Sequence, residues 1–179
     1  FVYGIGFLFG GMGHVFYGYF GITGKYLALI TGFGIPVMIE HAMISLLPKE
    51  KQAKLFLLSK LKTVVAIIAL TIVYFTVTSE EKALPALLLV PSLNIFIGLT
   101  LTCGYLGMKF GKSIDKSFYI LPITIFVMVP AAVLQMAKIS FHPWFDRNDA
   151  SHVLLIITLI LYFFAVEGYR KHLQKESIS

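Results

Sequence analysis

The sequence has few charged residues and a single cysteine. Only 13% of its 179 residues are charged, whereas 58% are hydrophobic, and the mean hydropathy is +0.84. Soluble domains carry about twice that share of charge, so the composition excludes a soluble globular protein. Cys103 alone cannot form an internal disulfide or a cysteine-based metal cluster. No basic-aromatic pattern indicates a nucleic-acid partner, and no H-E-x-x-H motif indicates a compact zinc site.

Long apolar runs are what the sequence has instead. A helix needs about 20 mostly apolar residues to cross the hydrocarbon core of a membrane. Six such runs predict an all-α polytopic membrane protein, with one helical bundle over residues 1–179 and a cytoplasmic tail at 170–179. The runs cover residues 2–19, 26–47, 62–77, 83–108, 118–138 and 151–169. Because the chain opens with Phe1 inside an apolar run, we expect a seventh helix to precede it in the complete protein.

Basic residues are distributed unevenly between the two sides of this predicted bundle. Eleven of the 15 Lys and Arg residues fall in the even-numbered loops and the C-terminal tail, and the other four fall on the opposite side. Cytoplasmic loops of membrane proteins carry the excess of Lys and Arg. The sequence therefore predicts a cytoplasmic C-terminus, and the loop between the fifth and sixth runs then faces outward.

Polar residues cluster where that outward loop meets the sixth run. The stretch FHPWFDRNDASH places His142, Asp146, Asp149 and His152 directly before an apolar segment. Removing ionisable groups from water costs several kcal/mol unless they find partners, so a cluster at the start of a membrane helix indicates a functional site. His14 lies roughly 8 to 10 Å below the outer end of the first run, near the level of His152.

Two interpretations of this cluster remain open. In the first, Asp149 is the N-cap of the last helix, His152 lies in its first turn, and His14 hydrogen-bonds a neighbouring helix. In the second, His14, His152 and Asp149 bind zinc, with His142 or Asp146 as an accessory ligand or proton carrier. Two histidines and a carboxylate would supply the three protein ligands of a catalytic zinc, whose bound water has a pKa near 7. Asp149 and His142 are then the candidate catalytic residues.

A second polar group lies deeper in the predicted bundle. Glu40 and His41 are adjacent, about 20 Å along the second run from its outer end, and Asn94 lies near the middle of the fourth. Adjacent residues on a helix point about 100° apart, so Glu40 and His41 cannot both face one small site. Hydrogen bonds between helices, including a pair between Glu40 and a cytoplasmic-side lysine, are one interpretation. A second site, or a pathway for protons or small solutes, is the other.

The first run is rich in glycine. Gly6 and Gly10 have the small-xxx-small spacing that lets a neighbouring helix approach closely in a membrane. The spacing predicts close helix packing at these two positions.

Two short motifs are similar to those of a known superfamily. The first run contains GGMGHVFYG at residues 10–18, and the last run opens with NDASH at residues 148–152. With the helix count, they resemble the CREST superfamily of seven-helix membrane hydrolases, which includes the alkaline ceramidases and the progestin and adipoQ receptors. There, one zinc-binding histidine lies on the second helix and two lie on the seventh, as H-x-x-x-H. Once a preceding helix is counted, the resemblance implies that His14 and His152 occupy zinc-binding positions.

Two positions differ from the superfamily pattern. Asn148 stands where the seventh helix would carry its other histidine, and Gly10 stands where a serine would precede His14 by four residues. The resemblance therefore implies one of two outcomes. Either Asp149 or His142 replaces the missing histidine in a variant zinc site, or the protein is a relative that has lost the metal.

These features lead to two predictions of function. The first is a ceramidase-like, zinc-dependent membrane hydrolase that acts on an amide or ester bond of a lipid, with zinc hydroxide attacking the carbonyl. The second is a non-enzymatic subunit, or a lipid- or pigment-binding component, of a larger membrane complex. Membrane lipids are the expected partners, with partner membrane subunits in the second case and nucleic acid in neither.

Overall fold

The chain folds into helices. The computed structural model describes residues 2–77 and 80–177, without the side chains at positions 2, 3, 6, 7, 14, 22, 27 and 80–84. Over these residues the elements are helical, apart from an isolated β-bridge between His142 and Phe145. The predicted all-α class is therefore confirmed. Backbone contacts divide the chain into two compact units, residues 1–98 and 99–179.

The first unit is organised around a small apolar core. Phe33, Leu70 and Leu87 are its buried centre, and Phe33 lies at the break between two helices. Gly32 and Gly34 flank this break. The helices of the unit are α1 (Val2–Val15), α2 (Tyr17–Phe20), α3 (Ile22–Gly32), α4 (Gly34–Ser45), α5 (Lys49–Thr76) and α6 (Glu80–Leu99). Of these, α1 packs against α3, and α4 packs against α5.

A glycine contact joins α1 to α3, but not at the predicted position. A Cβ atom at Gly13 would lie 3.2 Å from the carbonyl oxygen of Gly24 and 3.3 Å from Cβ of Ala28, whereas one at Gly10 would meet nothing within 4 Å. The prediction of a close approach at Gly10 is therefore wrong, and Gly6 lies outside the residues whose surroundings the structure describes. Because α1 has glycine on several faces, the spacing alone does not show which face meets the neighbour.

The second unit is built around a pair of long helices, α8 (Ile120–Met136) and α9 (Arg147–Glu176), which pack against each other. Before them come a π-helix (Thr100–Leu106), α7 (Gly107–Ser113) and a 3-10 turn (Lys116–Tyr119). A Cβ atom at Gly107 would lie 3.1 Å from Cδ of Pro122, so the chain before α8 approaches α8 closely.

Within residues 2–77 and 80–177, five helical stretches are long and apolar enough to cross a membrane: Thr23–Ser45, Lys49–Thr76, Pro85–Ser113, Lys116–Met136 and Arg147–Glu176. Large apolar side chains on them are exposed, as with Phe75 at 76% and Phe126 at 77%. Such surface is costly in water and suits contact with lipid. Length and composition together identify an integral membrane protein, while the side on which its C-terminus lies stays a prediction.

The first predicted run is not among these five stretches. The chain turns at Phe16, which divides the run into the 14 described residues of α1 and the 4 residues of α2. Each piece is shorter than the length that a spanning helix requires. Six or seven spans therefore stay a prediction.

Two helix boundaries differ from the predicted ones. The third run was expected to begin at Lys62, but α5 begins at Lys49 and includes PKEKQAK apart from its proline. Lys, Glu, Gln and Ala favour helix, and Pro48 directly precedes the first turn. At the other end of the chain, α9 continues as a helix to Glu176, through most of the predicted tail.

Candidate functional site

A capping box forms the start of α9. Oδ1 of Asp146 accepts hydrogen bonds from the backbone N–H groups of Asn148, at 2.7 Å, and Asp149, at 3.1 Å. In return, Oδ2 of Asp149 accepts the N–H of Asp146 at 3.1 Å. These bonds satisfy donors that a helix start leaves unpaired. The N-cap is thus Asp146, and the prediction that Asp149 fills that position is wrong because the helix begins earlier than expected.

The same bonds stabilise the charged form of Asp146. The bond from the N–H of Asp149 contributes most to lowering the pKa of the Asp146 carboxyl below its ordinary value, and the bonds from Asn148 add to this effect. Asp146 is therefore a carboxylate at neutral pH, placed at the positive end of the α9 dipole.

Gln135 ties this helix start to the last turn of α8. Its Nε2 donates to Oγ of Ser151 at 2.7 Å and to Oδ1 of Asn148 at 3.0 Å. Ser151 is buried and donates in turn to the backbone oxygen of Asn148 at 2.9 Å. Asn148, which stands at the position of the superfamily's other histidine, therefore contributes to the joint between the two helices.

His152 lies on the first turns of α9 with a defined ring orientation. Its Nδ1 is 2.6 Å from the backbone oxygen of Asn148. A carbonyl oxygen only accepts hydrogen bonds, so Nδ1 must carry the hydrogen. In the neutral ring, the lone pair then lies on Nε2. This is the arrangement seen in metal-binding histidines, whose other ring nitrogen donates to a carbonyl or carboxylate.

His142 has the opposite arrangement. It lies in the exposed loop before α9, and its backbone is paired with that of Phe145 by bonds of 3.2 and 3.0 Å. Its Nδ1 accepts the N–H of Trp144 at 3.2 Å, so the lone pair of the neutral ring lies on Nδ1 and is already used. To bind a metal through Nε2, His142 would have to give up this turn.

The predicted zinc ligands are only partly brought together within the described structure. Asp149 and His152 are three residues apart on one face of α9, where Cβ atoms lie about 5 to 6 Å from each other. The side chain of His14 lies outside the described ones. Among the side chains that are described, no three from His, Cys, Asp and Glu lie close enough to hold a metal. A shared site for His14 and His152 stays a prediction.

A second polar site lies inside the first unit, where Glu40 of α4 is 2% exposed. Its Oε1 accepts from Nζ of Lys62 at 2.7 Å, and its Oε2 accepts from Oγ of Ser59 at 2.5 Å. The predicted pairing of Glu40 with a lysine is confirmed. Both partners come from α5, so the carboxylate joins α4 to α5.

Asn94 of α6 completes this group. Nζ of Lys62 also donates to Oδ1 of Asn94 at 2.8 Å and to its backbone oxygen at 3.0 Å. Lys62 thus uses all three ammonium hydrogens, and three helices meet at one charge pair. Nδ2 of Asn94 is buried and has no hydrogen-bond partner within the described structure.

Gly98 leaves the room that the charge pair needs. A Cβ atom at this position would overlap the carboxylate of Glu40 and would lie 2.8 Å from Nζ of Lys62. Any other residue would therefore displace the pair. The sequence predicts a lysine partner for Glu40 without singling out Lys62, and it gives no role to Ser59 or Gly98, which lie one turn from Lys62 and Asn94 respectively.

His41, the neighbour of Glu40 on α4, contacts a different residue of α5. Its ring packs edge-on against Phe56, with ring centroids 4.8 Å apart. The Nε2 atom is buried, and among the described residues it has no hydrogen-bond partner. His41 therefore does not contribute to the charge pair.

Comparison with known proteins places the chain in a family by sequence. Residues 1–171 match the family of unknown function DUF6962. The chain belongs to this family. No curated protein and no solved structure matches it. The matched residues include both polar sites.

Proposed function

We propose that this DUF6962 protein is a membrane hydrolase of the ceramidase-like kind, which cleaves an amide or ester bond of a lipid at the start of α9. The observation that supports it is the ring of His152, whose Nδ1 donates to the oxygen of Asn148 at 2.6 Å. This bond fixes the tautomer that binds zinc through Nε2. The resemblance of GGMGH and NDASH to the CREST motifs supplies the reaction class.

The residues at the start of α9 fit zinc in part. Asp149 lies on the same face as His152, and the N–H of Asp146 orients its carboxylate at 3.1 Å. These two residues are suitable ligands, and His14 would be the third. His142 does not fit in its described conformation because its Nδ1 is occupied. Of the two predicted accessory ligands, His142 and Asp146, only Asp146 therefore remains, and its carboxylate also caps α9.

The chain's groups have separate tasks in this proposal. Zinc would supply an acidic bound water and would polarise the lipid carbonyl. The backbone oxygen of Asn148 holds the ring of His152, and Gln135 holds this part of α9 against α8. Asp149 is exposed and can accept a proton; His142, exposed in the preceding loop, can pass that proton to solvent once its Nδ1 releases the N–H of Trp144.

Metal analysis of the purified protein tests this proposal. We expect near-stoichiometric zinc in the wild type, loss of zinc in His152→Ala, and retention in His172→Ala, a control histidine near the other end of α9. Cleavage of ceramides and of lipid esters by the wild type should disappear in His152→Ala alone. Folded wild-type protein that is purified with zinc present and yet binds none would overturn the proposal.

A non-enzymatic membrane subunit is the second candidate. The capping box favours it, because Asp146 and Asp149 are both used as structural groups without any metal. In that case the wild type and His152→Ala would both show zinc content and lipid cleavage at the level of a blank. Gentle extraction would recover the wild type with a stoichiometric membrane partner.

A further inference from the structure

The group around Lys62 has the form of a cation site. Three oxygen atoms surround Nζ: Oε1 of Glu40 at 2.7 Å, Oδ1 of Asn94 at 2.8 Å and the backbone oxygen of Asn94 at 3.0 Å. Carboxylate, amide and backbone carbonyl oxygens are also the ligands that hard cations take in proteins, including at sites between membrane helices. The ammonium thus stands where a small ion would be held.

We propose that Glu40 and Asn94 form a monovalent-cation site whose resident cation is the ammonium of Lys62, and that Na⁺ or K⁺ occupies the site when this ammonium is withdrawn. The inference concerns the first unit and does not depend on the proposed hydrolase. Among the described side chains, Glu40 is the one carboxylate that pairs with Lys62, so a single positive charge neutralises it. A divalent ion would leave a net charge buried, which is costly.

The residues that supply the oxygens are buried, whereas the side chain of Lys62 is partly exposed. The side chain of Glu40 is 3% exposed and is also held by Ser59 at 2.5 Å, and Asn94 is 3% exposed. The side chain of Lys62 is 21% exposed. A long, flexible lysine can therefore leave by the side from which it enters, whereas the oxygens remain where they are.

Interruptions of the helices accompany the site. Pro91 lies inside α6, one turn before Asn94, and the turns from Thr100 onward are π-helical. On α4, Glu40 follows the break at Phe33 by two turns. Backbone carbonyls of interrupted membrane helices bind cations in other proteins, and here the backbone oxygen of Asn94 accepts a hydrogen bond from Lys62. Gly98 keeps the space beside the site open.

Replacing the lysine tests the site directly. Lys62→Met keeps the length and apolar stem of the side chain but removes its charge. The melting temperature of this variant is measured in detergent with Na⁺, with K⁺ and with N-methylglucamine, a cation too large for the site. We expect a rise of roughly 5 °C between N-methylglucamine and saturating Na⁺ or K⁺, and the larger of the two shifts identifies the preferred ion.

Two controls isolate the oxygens. Lys60→Met changes an exposed lysine on the same helix and should show no dependence on the cation. Adding Glu40→Gln to Lys62→Met removes the carboxylate and should abolish the shift. Equal melting temperatures of Lys62→Met in all three media would overturn the proposal. So would failure of that variant to fold in every medium, because a site that accepts a free cation would rescue it.

Discussion

Ser59 and Lys62, one turn apart on α5, bind the two oxygens of a single carboxylate, that of Glu40, at 2.5 and 2.7 Å. One short segment of α5 therefore satisfies a buried acid on α4 completely. Replacing either member of the Glu40–Lys62 pair is therefore costly, since the remaining charge would lie in an apolar environment without a counter-charge.

Glu40→Gln should destabilise the protein strongly. The ammonium of Lys62 would lose its counter-charge. Breaking one side of a buried pair costs about 3 to 5 kcal/mol, and we expect the lower end of this range because the side chain of Lys62 is 21% exposed. Glu50→Gln, at an exposed position in the first turn of α5, should change stability by less than about 0.5 kcal/mol. Denaturant unfolding followed by circular dichroism compares the two. If both variants unfold at the same midpoint, the charge pair does not hold the helices together.

Gly98→Ala should disturb the same pair without touching its charges. The added Cβ would overlap the carboxylate of Glu40, which cannot move away while Ser59 and Lys62 hold it. We expect a loss of about 1 to 3 kcal/mol, as in other overpacked sites. Gly10→Ala is the control, since its Cβ would meet nothing within 4 Å.

A double variant separates this effect from a general helix defect. In the background of Glu40→Ala, the overlapping carboxylate is gone and the flexible end of Lys62 can shift from the added Cβ, so Gly98→Ala should cost little further stability. Equal costs in the two backgrounds would show that the Cβ atom acts elsewhere.

Acidic pH should loosen the start of α9. The pKa of Asp146 is lower in the folded protein than its ordinary value, so its stabilising effect is present above the unfolded pKa, about 3.9, and disappears as the pH falls through the folded one. Hydrogen-exchange protection factors of the N–H groups of Asn148 and Asp149, measured between about pH 6 and pH 3, should decline at the acidic end.

Asp146→Asn provides the matched control for this decline. Asparagine also caps helices but does not titrate, so its protection factors should not change over the range. A decline of the same size in both proteins would assign it to another group.

The sequence predicted that Glu40 needs a positively charged partner, but it did not identify which lysine this partner is. A carboxylate in an apolar run requires a cation, and the pairing with a lysine is confirmed. Lys62 was expected at the start of a helix because hydropathy marks the apolar part of a span. It does not show how far a helix of Lys, Glu and Ala extends beyond that part. The roles of Ser59 and Gly98 depend on how three helices pack, which no local pattern contains.

The start of α9 shows the same limit on a smaller scale. Asp146 and Asp149 are both suitable N-caps by residue type, and only the backbone of the preceding loop decides between them. The joint with Gln135 depends on the packing of α8 against α9. The ring state of His152 follows from a single bond to the turn before it. The zinc site with His14 stays a prediction.

The length of α9 determines the conformation that its charged C-terminal end presents to a binding partner. Its 30 residues extend about 45 Å, whereas the hydrocarbon core of a membrane is about 30 Å thick. Ion pairs of Glu167 with Arg170 and Lys171, at 2.8 and 3.6 Å, support the last turns. This end is thus helical rather than an extended peptide. A protein that binds it meets a preformed surface, and the complex forms without the ordering entropy that a disordered segment loses.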